Sequence, residues 1–287
     1  MNDEISILNN VDKIQLKSEP FPYIVIKDAL PINLAEELTR TFPMRCFNLK
    51  EHNNKRLDIS ASDAMSKDIN SLWKKFILFH SSKKFFYQMI DLFGDSIIDI
   101  HKDFFNEIND LKEKKIGLRH VDEFKDYDFL MDAQISINTP VYFDNSVRKI
   151  HVDRNNKLYS GLFYLRQPHD DSIGGDLQIL KWKSSIPDSY KKDLYREPLD
   201  NRFVEFVDSI KYENNVAVLF LNSLNSLHEV TVRNKTKNIR TFVNLVCEVP
   251  FSLYPIGNEH ISISNRLIRL ARKIFFTLKE TISINTK

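Results

Sequence analysis

From about Phe129 onward the chain alternates. Ala133, Ile135 and Ile137 take turns with Gln134, Ser136 and Asn138, and a period of two puts each set on its own face of a β-strand. Further strand-like runs follow at Lys157 to Leu165, Gly174 to Ile179, Val216 to Asn222, and from Arg240 onward. In most sandwiches the apolar set faces the core. Here the polar set either lines a pocket or is the wet face of an edge strand. Upstream, from Ser66 to about Lys115, the period is helical instead. Ile69, Leu72, Trp73, Phe76 and Ile77 recur at three and four, then Phe85, Phe86, Met89, Ile90 and Phe93. Gly94 is expected to interrupt this run. The aromatics read as core, packing helices on the outside of a sheet. The pattern predicts an α+β chain, mainly β with flanking helices, in which a helical part over about 66–115 precedes a sheet core over about 130–250.

Chemistry is concentrated on three of the strand-like stretches. His151-Val152-Asp153 opens one, His228 stands in Ser-Leu-His-Glu-Val, and Arg240 stands in Asn-Ile-Arg-Thr-Phe-Val. His-x-Asp alone is a weak motif. On a strand, however, residues i and i+2 share a face, so His151 and Asp153 can grip one ion. Two imidazoles and one carboxylate hold one face of an octahedral metal and leave the other open, which is the ligand set of non-haem Fe(II) oxygenases. A guanidinium aimed into a barrel is costly without a counter-charge. Arg240 therefore calls for an anion, either a bound carboxylate or one supplied by the protein.

With those residues in view, the chain resembles the Fe(II)/2-oxoglutarate-dependent dioxygenases, in the branch of the prolyl 4-hydroxylases. The resemblance rests on His151-Val152-Asp153, Tyr164-Leu165, Gly174-Gly175-Asp176-Leu177, His228-Glu229-Val230 and Arg240. It covers about residues 130–250, and the lead-in Phe21 to Asp28 with the helix after it is similar too. It implies a double-stranded β-helix (jelly-roll) core. It implies that His151, Asp153 and His228 bind Fe(II), that Arg240 holds the far carboxylate of 2-oxoglutarate, that the Tyr164 hydroxyl shares it, and that Asn138 lies at a cosubstrate contact. Molecular oxygen is then the oxidant and ascorbate a stimulant. The expected reaction is hydroxylation of an unactivated C–H of a small molecule, amino acid or peptide side chain, with release of succinate and carbon dioxide. One departure stands out. Many relatives place Ser or Thr two residues after the arginine, whereas Phe242 stands there. Tyr164 is thus the better candidate for a hydroxyl at the carboxylate.

Composition narrows the setting. The 287 residues, 42% apolar with 21 Phe, allow one large domain. A net charge of +2 gives no basis for a nucleic-acid partner. Two cysteines far apart, Cys46 and Cys247, suit a reducing compartment. The opening Met-Asn-Asp-Glu lacks the basic-then-apolar pattern of a signal peptide, and no apolar run reaches membrane-spanning length. A cytoplasmic protein is expected. Only six glycines occur, and two adjoin at Gly174-Gly175, which marks a backbone constraint.

Several segments remain open. Residues 44–64 read as a long polar loop that either covers a site mouth or moves on the surface. Residues 181–201 read as a surface insertion. His80 and His101 fall on the helices without partners at metal-ligand spacing, and His169 falls in an exposed turn. Residues 263–282 read as a basic amphipathic helix that docks on the domain, forms a homodimer contact, or lies on an anionic membrane surface. Three rival functions are carried forward. A cupin-type metalloprotein (an isomerase or sugar-binding module) would use the triad without needing Arg240. A non-catalytic interaction protein would not need an intact triad. A halogenase relative would replace Asp153 with a small residue.

Overall fold

The computed structural model of the protein describes residues 5–9, 11, 15–49, 52–192 and 199–255. The expected helix over 263–282, with the docking, dimer and membrane roles attached to it, lies outside the described residues. The chain enters through β1 (Tyr23–Ile26) and α1 (Ile32–Arg40), with Pro31 at the N-cap. It continues through β2 (Arg56–Ile59), α2 (Ala61–Ser66), α3 (Ser71–His80), α4 (Lys83–Ile100), α5 (Ile108–Glu113) and β3 (Ile116–Leu118). The long strands β4 (Phe129–Asn138), β5 (Lys157–Tyr164) and β6 (Leu177–Trp182) follow. After α6 (Asp188–Lys192) come β7 (Val204–Ile210), β8 (Val216–Leu221), β9 (His228–Val230) and β10 (Arg240–Glu248).

Two sheets result. The larger runs β1-β8-β5-β10-β4-β2, with β3 beside β4, and the smaller runs β7-β6-β9. From β5 onward the chain winds between them: β5 in the large sheet, β6 and β7 in the small, β8 in the large, β9 in the small, β10 in the large. This winding is the double-stranded β-helix of a jelly roll. The inner faces meet in an apolar layer to which the large sheet gives Tyr164, Val218, Phe220 and Phe242, and the small sheet gives Leu177, Ile179 and Ile210.

The alternation along β4 and β10 decides what each face does. Ala133 and Ile135 with Val243, Leu245 and Cys247 enter the outer core against the helices. There Phe76 meets Phe163 at 5.6 Å and Phe86 meets Phe129 at 5.0 Å between ring centroids. Each fully buried side chain of this size contributes roughly 1.5–3 kcal/mol. The expectation that the helical aromatics pack on the outside of the sheet agrees with this layer. Helix starts are fixed by side chains: Asn70 accepts from the Leu72 amide at 2.8 Å, and Ser82 from the Phe85 amide at 3.4 Å. The complementary residues on β4 and β10 face inward, and Gln134, Asn138, Arg240, Asn244 and Val246 line the cavity between the sheets.

Some sequence expectations are corrected. Gly94 does not break the helical run, because α4 passes through it without interruption. The buried face of α4 outweighs the roughly 1 kcal/mol helix cost of one glycine. The missing side chain has a packing use, since a Cβ there would lie 3.3 Å from Ile108 on α5. Residues 44–64 are not one long loop. They hold a 3₁₀ turn at Met44–Cys46, then β2 and the start of α2. β2 pairs with β4 and sets Arg56 opposite Asn138, and Arg56 and Asp58 line the cavity. His151-Val152-Asp153 does not lie in a regular strand. His151 makes an isolated bridge to His228, and Asp153 lies beyond it. The surface insertion starts two residues late, since β6 runs on to Trp182.

His80 and His101 are both buried, at 1% and 2% exposure, while His169 is exposed as expected. His80 is structural: its Nδ1 lies 2.8 Å from the Phe76 carbonyl, and its Nε2 accepts from the Ile7 amide at 3.2 Å. Burial pushes its pKa down to about 4, although the Phe76 bond acts in the opposite direction. The unfolded chain therefore takes up this proton first. The stability involved is whole above pH 6.5 and is lost as pH falls toward 4. Urea unfolding over that range should show a loss of about 1.4 kcal/mol per pH unit for each such histidine. His80→Gln should remove one histidine's share of the slope, and an unchanged slope would contradict this.

Gly174 and Gly175 both have φ of +83°, as their pairing in the sequence suggested. A Cβ on Gly174 would lie 1.8 Å from the Val232 carbonyl oxygen. Gly174→Ala should thus lower the melting temperature through a loss of at least about 1–3 kcal/mol, and a melting curve like wild type would exclude that strain. Cys46 and Cys247 are free. Among the described residues no helix is long and apolar enough to cross a membrane.

Candidate metal centre

The small sheet brings the two histidines together. The His151 and His228 backbones bond to each other in both directions at 3.1 Å. Their rings lie side by side and tilted, with centroids 4.2 Å apart and planes at 56°. Each ring is tied in the same way. His151 Nδ1 lies 2.8 Å from the Lys149 carbonyl, and His228 Nδ1 lies 2.9 Å from the Ser226 carbonyl. A carbonyl oxygen only accepts, so each Nδ1 carries the proton and each Nε2 keeps its lone pair. This is how metal-binding histidines are commonly oriented. His228 is held neutral as well: burial, then the neighbouring His151, push its pKa down to about 3.

Asp153 completes the set. Its Oδ1 faces His151 Nε2 at 3.7 Å. Its Oδ2 accepts from Ser160 Oγ at 2.5 Å and from Lys157 Nζ at 3.3 Å. Asn222 donates to Ser160 Oγ at 3.0 Å, and Tyr254 donates to the Asp153 carbonyl at 3.1 Å. One carboxylate oxygen is thus fixed by the protein while the other stays available. Burial alone would raise this carboxyl, but Lys157, the His151 contact and His228 hold it well below the usual carboxylate range. One ligand atom from each of His151, Asp153 and His228 lies within 4.8 Å of the others. Two imidazoles and an ionised carboxylate fit a divalent transition metal. No other such group of three occurs among the described residues.

Arg240 lies further along the same cavity. It is 1% exposed, directly opposite Asn138 on β4, and its Nη1 donates to Asn138 Oδ1 at 3.1 Å. Its guanidinium carbon sits 4.8 Å from the Tyr164 ring centre, 4.9 Å from Phe242 and 5.0 Å from Tyr212. Its Nε and Nη2 have no partner, and the Asn138 amide nitrogen and Tyr164 hydroxyl beside it have none either. No carboxylate of the described residues pairs with it. The three ring faces attract the charge but offer no oxygen to accept from its free N–H groups. The unsatisfied atoms belong to three side chains in mutual contact, Asn138 bonded to Arg240 and the Tyr164 ring packed on it. Burial, opposed by the Arg240 charge, raises the pKa of Tyr164, which keeps its hydroxyl a neutral donor.

His151, Asp153, His228, Arg240 and Asn138 all line one cavity of about 540 Å³. Tyr164 packs against Arg240 within the wall. Two residues after Arg240, the Phe242 ring lies against its guanidinium.

Other contributors were missed from the sequence. Ser160, Lys157 and Asn222 orient Asp153, and only Lys157, four residues on, was near enough to suspect. Tyr212 follows β7 in a stretch with no period. Its ring packs on Arg240, and its hydroxyl accepts from the Thr241 amide at 2.9 Å. Arg233 is wholly buried behind the site. Its Nη1 donates to Asn54 Oδ1 at 3.0 Å, and it has no carboxylate partner among the described residues. Burial, then Arg240, push its pKa down to about 10. Gly175 separates the two arginines: a Cβ there would lie 3.1 Å from Arg233 and 3.3 Å from Arg240.

No family model and no curated protein matches the sequence. Solved structures do match. A prolyl 4-hydroxylase from Phytophthora capsici is 15% identical, covering 98% of this chain and 76% of its own, with a TM-score of 0.49. A prolyl-4-hydroxylase from Pseudomonas putida is 12% identical over 79% of this chain and 92% of its own, at 0.43. A dioxygenase for auxin oxidation from Arabidopsis thaliana, solved with 2-oxoglutarate, is 12% identical over 84% of this chain and 89% of its own, at 0.40.

Proposed function

We propose that the protein is an Fe(II)- and 2-oxoglutarate-dependent dioxygenase that hydroxylates an unactivated C–H bond. The observation that carries this reading is the pairing, in one cavity, of a pinned His-Asp-His set with a buried arginine that lacks a carboxylate. A cupin-type isomerase or sugar-binding module leaves that arginine unexplained.

In this reading His151, Asp153 and His228 would hold the metal. Lys149 and Ser226 carbonyls keep the imidazoles turned toward it, while Ser160 and Lys157 stop the carboxylate from rotating away. Arg240 grips the far carboxylate of 2-oxoglutarate by charge-assisted bonds. Tyr164 donates its hydroxyl, and Asn138 offers its free amide nitrogen. The Tyr164, Tyr212 and Phe242 rings keep water from that end and so strengthen the ion pair. Iron bound there supplies the oxidising chemistry by which one oxygen atom of O₂ enters the substrate C–H and the other leaves in succinate, as 2-oxoglutarate loses carbon dioxide.

Mass spectrometry of candidate amino acids, peptides and small metabolites incubated with protein, Fe(II), ascorbate and 2-oxoglutarate tests the reaction. A gain of one oxygen is expected, absent without 2-oxoglutarate and absent with Asp153→Ala. A product that forms without 2-oxoglutarate would overturn the reading.

A further inference from the structure

The cavity carries more positive charge than its own residues neutralise. Six cationic and three anionic side chains line it. Three of the cations are answered: Arg56 meets Asp58 at 2.8 Å, Arg119 meets Glu248 at 3.0 Å, and Lys157 meets Asp153 at 3.3 Å. Arg240 is reserved for the cosubstrate. A divalent metal and a dianionic cosubstrate cancel each other, so loading the site does not remove the surplus. Arg148 and Arg154 are left, and neither pairs with a carboxylate among the described residues.

Their placement is not incidental. Arg148 precedes His151 by three residues, and Arg154 follows Asp153 directly. Their backbones are pinned: the Arg148 carbonyl accepts from the Val230 amide at 2.9 Å, and the Arg154 carbonyl from the Lys157 amide at 3.1 Å. Both residues are exposed yet line the cavity, which places them at its mouth. Neither guanidinium bonds to any described residue, so the fold has no evident need of the charge. Cations of one sign around a concave site focus the field and draw in anions. A guanidinium fork matches carboxylate and phosphate oxygens two at a time. The cavity, at about 540 Å³, lies within the roughly 300–1,000 Å³ of small-molecule sites.

Resting on the function proposed above, we infer that the substrate is a small molecule bearing a carboxylate or phosphate group, which Arg148 and Arg154 grip at the cavity mouth. The acid group then anchors the molecule at the rim while its C–H reaches the metal centre. The experiment is calorimetry without oxygen on the full chain loaded with Fe(II) and saturated with 2-oxoglutarate. The probes are two matched pairs, hexanoate against hexanamide and hexyl phosphate against hexanol. At least one acid should bind more tightly than its neutral partner by about tenfold or more, as expected for charge-assisted bonds, and the preferred pair tells carboxylate from phosphate. The double variant Arg148→Gln, Arg154→Gln should lose that preference and keep the wild-type affinity for 2-oxoglutarate. Acids that bind no better than their neutral partners, or a double variant that keeps the preference, would overturn the inference while leaving the proposed function standing. Failure of 2-oxoglutarate itself to bind the metal-loaded protein would remove both.

Discussion

Asp153→Ala and His228→Ala should each abolish Fe(II) binding and all iron-dependent turnover while the fold survives. The loss is large because each variant removes one of only three ligands. Ser160→Ala, which removes a group that merely orients Asp153, should cost less, roughly 10–100-fold in metal affinity. Circular dichroism and melting curves should stay near wild type for all three. The bridge that pairs His151 with His228 is made by backbone atoms, and the strand ladders of the large sheet do not involve these side chains. Wild-type iron affinity in Asp153→Ala or His228→Ala would show that the metal lies elsewhere.

Arg240→Ala should weaken 2-oxoglutarate by about 2–5 kcal/mol, the cost of truncating one partner of a buried charge pair, or roughly thirtyfold to several-thousandfold in Kd. Arg240→Lys should fall between, because lysine keeps the charge and loses the fork. Iron affinity should not change, since Arg240 is not a ligand. The same burial yields a further expectation. In the protein without cosubstrate Arg240 is an unpaired charge beside a second buried arginine, so Arg240→Met should leave that form at least as stable as wild type. A strongly destabilised Arg240→Met would mean that the guanidinium holds the fold together rather than a ligand.

The parts of this structure that were legible in the sequence are those where one local pattern runs long enough to show. β4 and β10 alternate over nine or ten residues, so their two faces could be told apart from the chain alone. The helical aromatics of α3 and α4 repeat over several turns and pack as their spacing implies. The sequence also placed Asn138 and Arg240 on strands, and the β4–β10 register sets them opposite each other.

What was not legible depends on pairing across distance. β2 is four residues long and holds only two turns of an alternation, so nothing local separates it from a polar loop. Gly94 looks like a breaker because its packing partner, Ile108, belongs to another helix. Tyr212 reaches Arg240 from a loop with no period, and Arg233 lies across Gly175 from it. The strand assignment for His151 and Asp153 was too regular, yet their spacing still turns both side chains to one site. There the bridge to His228, seventy-seven residues along the chain by its number, does the positioning.

If one cosubstrate spans the metal centre and Arg240, two ligands of equal chain length will be told apart on the iron-loaded protein without oxygen: 2-oxoglutarate, and 2-oxopentanoate, which keeps the keto acid and lacks the far carboxylate. The wild type should prefer 2-oxoglutarate by about 2–5 kcal/mol, and Arg240→Ala should bring the two dissociation constants close together. Equal affinities in the wild type, or a preference that survives Arg240→Ala, would contradict that span.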